Sequence, residues 1–269
     1  MENCIWMLKN NTHTQMMSFV ILDKSGKVIV IDGGNTLDAP YLLQRLRELT
    51  GQKKPHVDAW FFTHAHSDHV HAFYELYDKY LDCFSFDKIY CNFPSKQYLA
   101  LDGAATLQKF YDLQGRIYHK VVTVSVGDVY QIGEAKFEVL YTADTTINDN
   151  WCNNSSTVFK MTLGDRRVLF LGDLGVEGGH VLMRNMPEAI KCDTVQMAHH
   201  GQEGVDEAFY NATECKTCLW CAPDWLWDND RGGGFNTASF KTVIVRGWME
   251  KMGVKEHYVI KDGDQLITC

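Results

Sequence analysis

The sequence predicts an α+β protein in which two β-sheets are enclosed by helices. Three observations carry that expectation. Short, continuous apolar runs recur in both halves of the 269-residue chain, segments with helical spacing separate them, and no repeat or linker breaks the order. One domain spanning residues 1–269 is expected.

The first run, Val28-Ile29-Val30-Ile31, stops at Asp32-Gly33-Gly34 and reads as a buried strand with a turn behind it. Within residues 40–50, Leu42, Leu43, Leu46 and Leu49 recur at helical spacing, and Gly51 closes the helix. Ala59-Trp60-Phe61-Phe62 is a second buried strand. Behind it Val70, Phe73, Tyr74, Tyr77 and Leu81 form one face of a helix whose start Ser67 or Asp68 would cap. Residues 121–126 end at Gly127-Asp128 and are followed by residues 135–141, which fits a hairpin or meander. Gly164-Asp165, between runs 157–163 and 168–171, is the strongest hairpin signal in the chain. Residues 194–198 and 217–222 read as further strands, residues 239–252 as a helix, and strands paired around Lys261-Asp262-Gly263 as the end of the fold.

Composition narrows the function classes. Hydrophobic residues make up 45% and aromatic residues 12%, which excludes a disordered chain. Lys plus Arg number 26 against 34 Asp plus Glu, a formal net charge of −8, so a long nucleic acid is possible but not favoured as a partner. No apolar run reaches the length of a membrane span, and the first residues lack a basic secretion start. Nine cysteines, an odd number, then point to free thiols and a cytoplasmic protein. Cys215, Cys218 and Cys221 invite a zinc-knuckle reading, but strand alternation beside Leu219, Trp220 and Ala222 favours core thiols, with Cys218 opposite the other two.

The chemistry lies where buried strands end. Asp32 follows the first run, His64-Ala65-His66-Ser67-Asp68-His69 the second, Asp173 the run 168–172, and His199-His200 the run 194–198. With His71, these two clusters hold six of the eleven histidines. Imidazole and carboxylate at this density suit a Zn, Mn or Fe site. His64 and His66 leave an extended segment on the same side, whereas Asp68 and His69 turn into a helix start, so one loop can serve two ions. Asp173 could bridge them and His199 could complete the second. His13, His56, His119, His180 and His257 read as ordinary core or surface histidines.

Taken together, His-x-His-x-Asp-His at 64–69, Asp-Gly-Gly at 32–34, Leu-Gly-Asp at 171–173 and His-His-Gly at 199–201 resemble the metallo-β-lactamase superfamily over nearly the whole chain. The resemblance implies a four-layer αββα sandwich and two divalent metal ions, Zn or Mn, with Fe a further option. It implies that His64 and His66 bind the first ion, Asp68 and His69 the second, that Asp173 bridges, that His199 is the last ligand, and that Asp32 steadies the ligand loop. One feature departs from many members: residues 151–158 (Trp-Cys-Asn-Asn-Ser-Ser-Thr-Val) lack a further first-site histidine. That turn, with His-His-Gly, is similar to the hydrolase domain of ComEC-type proteins. Asn153 and Asn154 are then either a turn pair or face substrate or metal, and the missing imidazole favours a weaker or harder first ion such as Mn²⁺.

The implied reaction is water-driven hydrolysis of a phosphodiester or another small phosphoester, with a small-molecule substrate and no membrane partner. Asp68 would orient or deprotonate the water, and His200 would donate a proton, contact an oxyanion, or point into the core. In Asn229-Asp230-Arg231-Gly232-Gly233-Gly234, flanked by Trp225, Trp227 and Phe235, Arg231 is the cation that could meet a phosphate, unless the loop is only a solvent-facing connection. The alternatives are an ester, lactone or amide hydrolase using the same ions, and a metal-binding protein with a degraded site.

Overall fold

A computed structural model of the chain describes residues 2–95 and 104–269. The first sheet contains β1 (Cys4–Met7), β2 (Ser18–Leu22), β3 (Val28–Asp32), β4 (His56–Phe61), β5 (Ser85–Cys91) and β6 (Val121–Thr123). The second contains β7 (Val129–Ile132), β8 (Ala135–Tyr141), β9 (Val158–Leu163), β10 (Arg166–Phe170), β11 (Thr194–Gln196), β12 (Thr217–Trp220) and β13 (Glu256–Val259). A last strand, β14 (Gln265–Thr268), returns to the first sheet, whose order is β14-β1-β2-β3-β4-β5-β6; the second runs β13-β12-β11-β10-β9-β8-β7. Each sheet is antiparallel at one side and parallel at the other, with β3 to β6 and β10 to β13 parallel.

Three apolar layers separate four structural ones. Between the sheets, Phe61 stacks on Phe137 at 4.1 Å, and Phe19 meets Phe170 edge-on at 5.1 Å. Outside the first sheet, Val30 and Trp60 pack under α1 (Ala39–Thr50), α2 (Ser67–Lys79) and α3 (Ala104–Ile117). After these come the short α4 (Trp151–Asn154), then α5 (Val176–Asn185), α6 (Glu207–Thr213) and α7 (Asp224–Trp227). With α8 (Thr242–Met252), helices α5 to α8 cover Leu169, Val195 and Trp220 of the second sheet. Central strands are thus buried on both faces: Ile29 and Ile31 turn inward while Val28 and Val30 turn to the helices. This is why they read as unbroken apolar runs. Among the described residues no helix is long and apolar enough to cross a membrane.

Several local expectations are corrected. Residues 121–126 do not pair with 135–141: β6 lies parallel to β5, and the hairpin partner of β8 is β7, reversed at Gly133-Glu134. Gly127-Asp128 is where the chain passes from one sheet to the other. The strands around Lys261-Asp262-Gly263 likewise belong to different sheets, β13 beside β12 and β14 beside β1. A turn signal shows that a chain bends, not which neighbour it meets afterwards. Helix α2 is capped by His66 without a side-chain bond, so Ser67 and Asp68 lie in its first turn and Leu81 beyond its end. Cys218 shares the outer layer with Cys215, which precedes β12 and so escapes the alternation; Cys221 faces the other sheet. Among the described residues the cysteines form no disulfide.

Candidate metal centre

The carboxyl ends of β3, β4, β10 and β11 meet along one edge of the sandwich, the edge where open sheets expose ligand sites. Gly172 allows the two sheets' loops to approach. Its φ is +57°, and a Cβ there would lie 2.8 Å from Thr63 Cβ and 2.9 Å from Ser156 Oγ. In that space Ser156 Oγ accepts the Asp173 N–H at 3.0 Å, and the Thr157 N–H donates to the Thr63 carbonyl at 2.8 Å. Gln196 Oε1 accepts the N–H groups of Leu171 and Gly172, fixing the segment that carries Asp173.

Two donor groups result, and they share Asp173. One contains His64, His66 and Asp173; the other contains Asp68, His69, Asp173 and His200, with the donor atoms of each group within 4.8 Å of one another. His64 Nε2 lies 3.8 Å and His200 Nε2 3.5 Å from Asp173 Oδ2, and His69 Nε2 lies 3.2 Å from Asp173 Oδ1. His64 Nε2 and His66 Nδ1 converge to 3.0 Å.

The far sides of the rings explain their orientation. A carboxylate only accepts, so His69 donates from Nδ1 to Asp32 Oδ2 at 2.7 Å, leaving Nε2 for the centre. His200 likewise donates from Nδ1 to the Cys221 carbonyl at 3.1 Å, and its Nε2 faces Asp68 Oδ2 at 3.1 Å. Asp32 itself is fully buried at φ +55° and accepts the Thr63 N–H and hydroxyl at 2.9 and 2.8 Å. Thr63 went unnoticed in the sequence. Its only signal was a hydroxyl at the end of an otherwise apolar strand.

Burial and charge compete here, and charge wins for four groups. Burial alone would raise the Asp68 and Asp173 carboxyls, but His69 and His200 hold both below the usual carboxylate range. Burial would lower His69 and His200, yet the facing carboxylates raise both, His200 to about 9. For His64 burial dominates and pushes its pKa well down. The buried His69 Nε2 and Asp173 Oδ1 have no hydrogen-bond partner despite their proximity. Unpartnered donors and acceptors buried at one point are costly unless a ligand joins them. The residues therefore fit divalent cations.

The structure differs from the sequence expectation on the adjacent histidines. His200, not His199, joins the second group. Its side chain is 1% exposed, whereas that of His199 is 19% exposed, with Nε2 3.9 Å from Asp173 and Nδ1 3.3 Å from the Glu203 carbonyl. Both residues have positive φ, 48° and 56°, so the strand does not simply run out in alternation. That left-handed turn swaps which ring reaches inward.

Asn154 is committed to structure. Its Oδ1 accepts the N–H groups of Gly175 and Gly178, capping α5 from another segment, and its Nδ2 donates to the Asp149 carbonyl and Glu177. Asn153 donates to Asn150 Oδ1 at 3.0 Å, but its own Oδ1 is buried without a partner. Its helix α4 packs through Trp151 and Cys152 against Ala65, the residue between His64 and His66. Arg231 lines a cleft of about 460 Å³ that also contains Asp68. Gln15, Asn35 and Gln202 contribute to that cleft from separate loops, which no local sequence pattern could signal.

Residues 14–81 match the metallo-β-lactamase superfamily profile, a stretch that includes the His64–His69 loop. No curated protein sequence matches the chain. Among solved structures, the metallo-β-lactamase fold protein YhfI from Bacillus subtilis is similar at TM-score 0.59 and 12% identity, covering 99% of this chain and 100% of that one. CmlA, a diiron β-hydroxylase from Streptomyces venezuelae, is similar at TM-score 0.56 and 13% identity. The likeness covers 100% of this chain but 54% of CmlA, so the chain spans about half of that protein's length. Identities this low speak for the fold alone. The chain has the metallo-β-lactamase fold, and within it residues 14–81, with the histidine-rich loop, match the profile of that superfamily.

Proposed function

We propose that the chain is a metal-dependent hydrolase of small phosphoesters, phosphodiesters first. The observation that carries the reading is the pair of donor groups sharing Asp173, with His69 Nε2 and Asp173 Oδ1 buried 3.2 Å apart and neither of them hydrogen-bonded. His64, His66 and Asp173 would hold one divalent ion, and Asp68, His69, Asp173 and His200 the other. Bound there, two such ions would supply Lewis acidity, acidifying water near neutral pH and offsetting charge on the reacting oxygens. The ComEC-like turn at 151–158 supports a phosphodiester over a carbonyl substrate. The unpartnered Asn153 oxygen, in the helix packed on Ala65, supports it as the donor that the first group lacks. An amide oxygen suits a harder ion such as Mn²⁺, while Zn and Fe remain compatible with the imidazoles.

The chain's own groups then have distinct tasks. Asp68 belongs to both the donor set and the cleft, so its carboxylate, held ionised by His69 and His200, orients the attacking water and takes its proton. His199 has Nδ1 tied to the Glu203 carbonyl and its ring at the rim, which supports a contact to the leaving oxygen. Nine cysteines without a disulfide among the described residues support a reducing, cytoplasmic setting.

Purification without chelators, metal analysis, and assays with bis-p-nitrophenyl phosphate and p-nitrophenyl acetate test the reading. The expected result is about two metal equivalents per chain and phosphodiester turnover that His66→Ala and Asp173→Ala abolish without unfolding. Turnover of the acyl ester alone would replace the phosphoester reading with an acyl hydrolase. Less than about one equivalent would leave a degraded binding site.

A further inference from the structure

Two clefts of opposite character share Gln202, one of them lined by Asp68 of the second donor group and the other by His199 beside it. The first, of about 460 Å³, has Asp68 and Arg231 in its lining. The Arg231 guanidinium lies 4.0 Å from the ring centre of Trp225 and 5.2 Å from that of Phe240. Trp225 is itself fixed by its indole N–H, which donates to the His13 carbonyl at 2.9 Å. Among the described residues Arg231 has ring contacts but neither a hydrogen bond nor an ion pair. Aromatic faces hold the guanidinium plane while its in-plane N–H donors stay unused, an arrangement suited to bidentate capture of an oxyanion.

The second cleft, of about 640 Å³, is lined by Asp149, Glu177, Glu203 and Asp206 together with Ile244 and Trp248. Its lysine, Lys241, already pairs with Glu203 at 3.3 Å. Four carboxylates against this one lysine leave the cleft with an acidic balance that disfavours an anion, whereas the half-exposed Ile244 and the Trp248 ring offer apolar surface.

We propose that Arg231 is the specificity residue: it binds a terminal phosphate or carboxylate on the arm of a phosphodiester that occupies the first cleft, while the second cleft takes an uncharged or cationic, partly apolar alcohol. This rests on the phosphoester reading above. The charge asymmetry fixes which way the substrate lies across the centre. A nucleic acid strand is disfavoured, because its phosphates would continue past the four carboxylates.

Phosphinates, in which both ester oxygens of the phosphodiester are replaced by methylene so that the anionic PO₂ group remains and neither arm can be hydrolysed, test the inference by calorimetry on the metal-loaded protein. One arm of each is hexyl, and the other ends in a phosphate, a carboxylate or the neutral amide. The wild-type protein is expected to bind either anionic probe about tenfold or more tightly than the amide, the gain of one charge-assisted contact. The tighter of the two anionic probes identifies the oxyanion. Arg231→Gln should collapse this preference and Arg231→Lys should keep part of it, with circular dichroism unchanged in both. A probe with carboxylates on both arms should bind more weakly than the one-armed probe. Equal binding of anionic and amide probes, or a preference that survives Arg231→Gln, would overturn the role of Arg231. Tighter binding of the two-armed probe would overturn the polarity. Failure of every probe to bind would remove the phosphoester reading itself, and this inference with it.

Discussion

Asp32→Asn changes one atom's chemistry at the base of the centre while keeping its shape. Asp32 Oδ2 accepts from His69 Nδ1 at 2.7 Å, and Oδ1 accepts the Thr63 N–H at 2.9 Å. Asparagine keeps one acceptor for these two donors. With its oxygen on the Thr63 side, its amide N–H meets His69 Nδ1, which must then accept, so the ring proton moves to Nε2 and obstructs the cation. With the amide reversed, two N–H groups face each other at Thr63. Losing one charge-assisted hydrogen bond costs about 1.5–3 kcal/mol, and the wrong tautomer should weaken metal binding about 10- to 100-fold. Asp32→Ala differs in kind. It leaves the Thr63 N–H, the Thr63 hydroxyl and His69 Nδ1 all buried without their partner, at a cost of about 3–5 kcal/mol to the fold. Urea denaturation in chelator and calorimetric metal titration separate the two effects. An Asp32→Asn protein that folds and binds metal as tightly as wild type would refute the argument from His69 orientation.

Four further outcomes follow from named contacts. His200→Ala should lose about one metal equivalent while His199→Ala keeps both, read by elemental analysis; the reverse pattern would return His199 to the donor set. Asn154→Ala removes both acceptor bonds that cap α5 and should cost about 2–4 kcal/mol, with faster amide exchange at Gly175 and Gly178 than elsewhere. Gly201→Ala places a Cβ 2.4 Å from the Trp220 ring at φ +83°, so thermal unfolding should fall by an amount equivalent to more than about 3 kcal/mol. In the metal-free protein His69 and His200, the latter at about 9, are raised above the unfolded value near ~6.5. Their contribution is complete below that value and is lost as pH rises through about 9. Chelated protein should therefore weaken across that window while metal affinity rises, because cations replace the same protons. A flat urea midpoint over this range would contradict the electrostatic account.

Much of the fold was legible because its information is local. The runs at Val28–Asp32 and Arg166–Phe170 are buried on both faces, and such strands must be continuously apolar whatever surrounds them. Gly51 and Gly164 have the positive φ that their turns require, so those boundaries could be read directly. The candidate site was legible for a related reason. Four ionisable groups within residues 64–69, next to an apolar strand, are too costly to bury without a ligand, and Asp32 and Asp173 follow strands that must end at the same edge.

Other features depend on residues far apart in the chain. Whether β6, β13 and β14 enter the first or second sheet is decided by competition among distant strand edges, so their turns gave no guide to their partners. Which member of the His199-His200 pair faces inward is set by two left-handed residues and the Cys221 carbonyl that accepts from His200. Asn154 became a cap only because α5 starts beside it, and Arg231 became an aromatic-held cation only because Phe240 and Trp225 meet around it. The sequence by itself determined the residue types that can bury, bend or bind. Tertiary structure decided which of them meet, because hydrogen bonds and charge pairs act over a few ångströms and depend on positions that the whole fold sets.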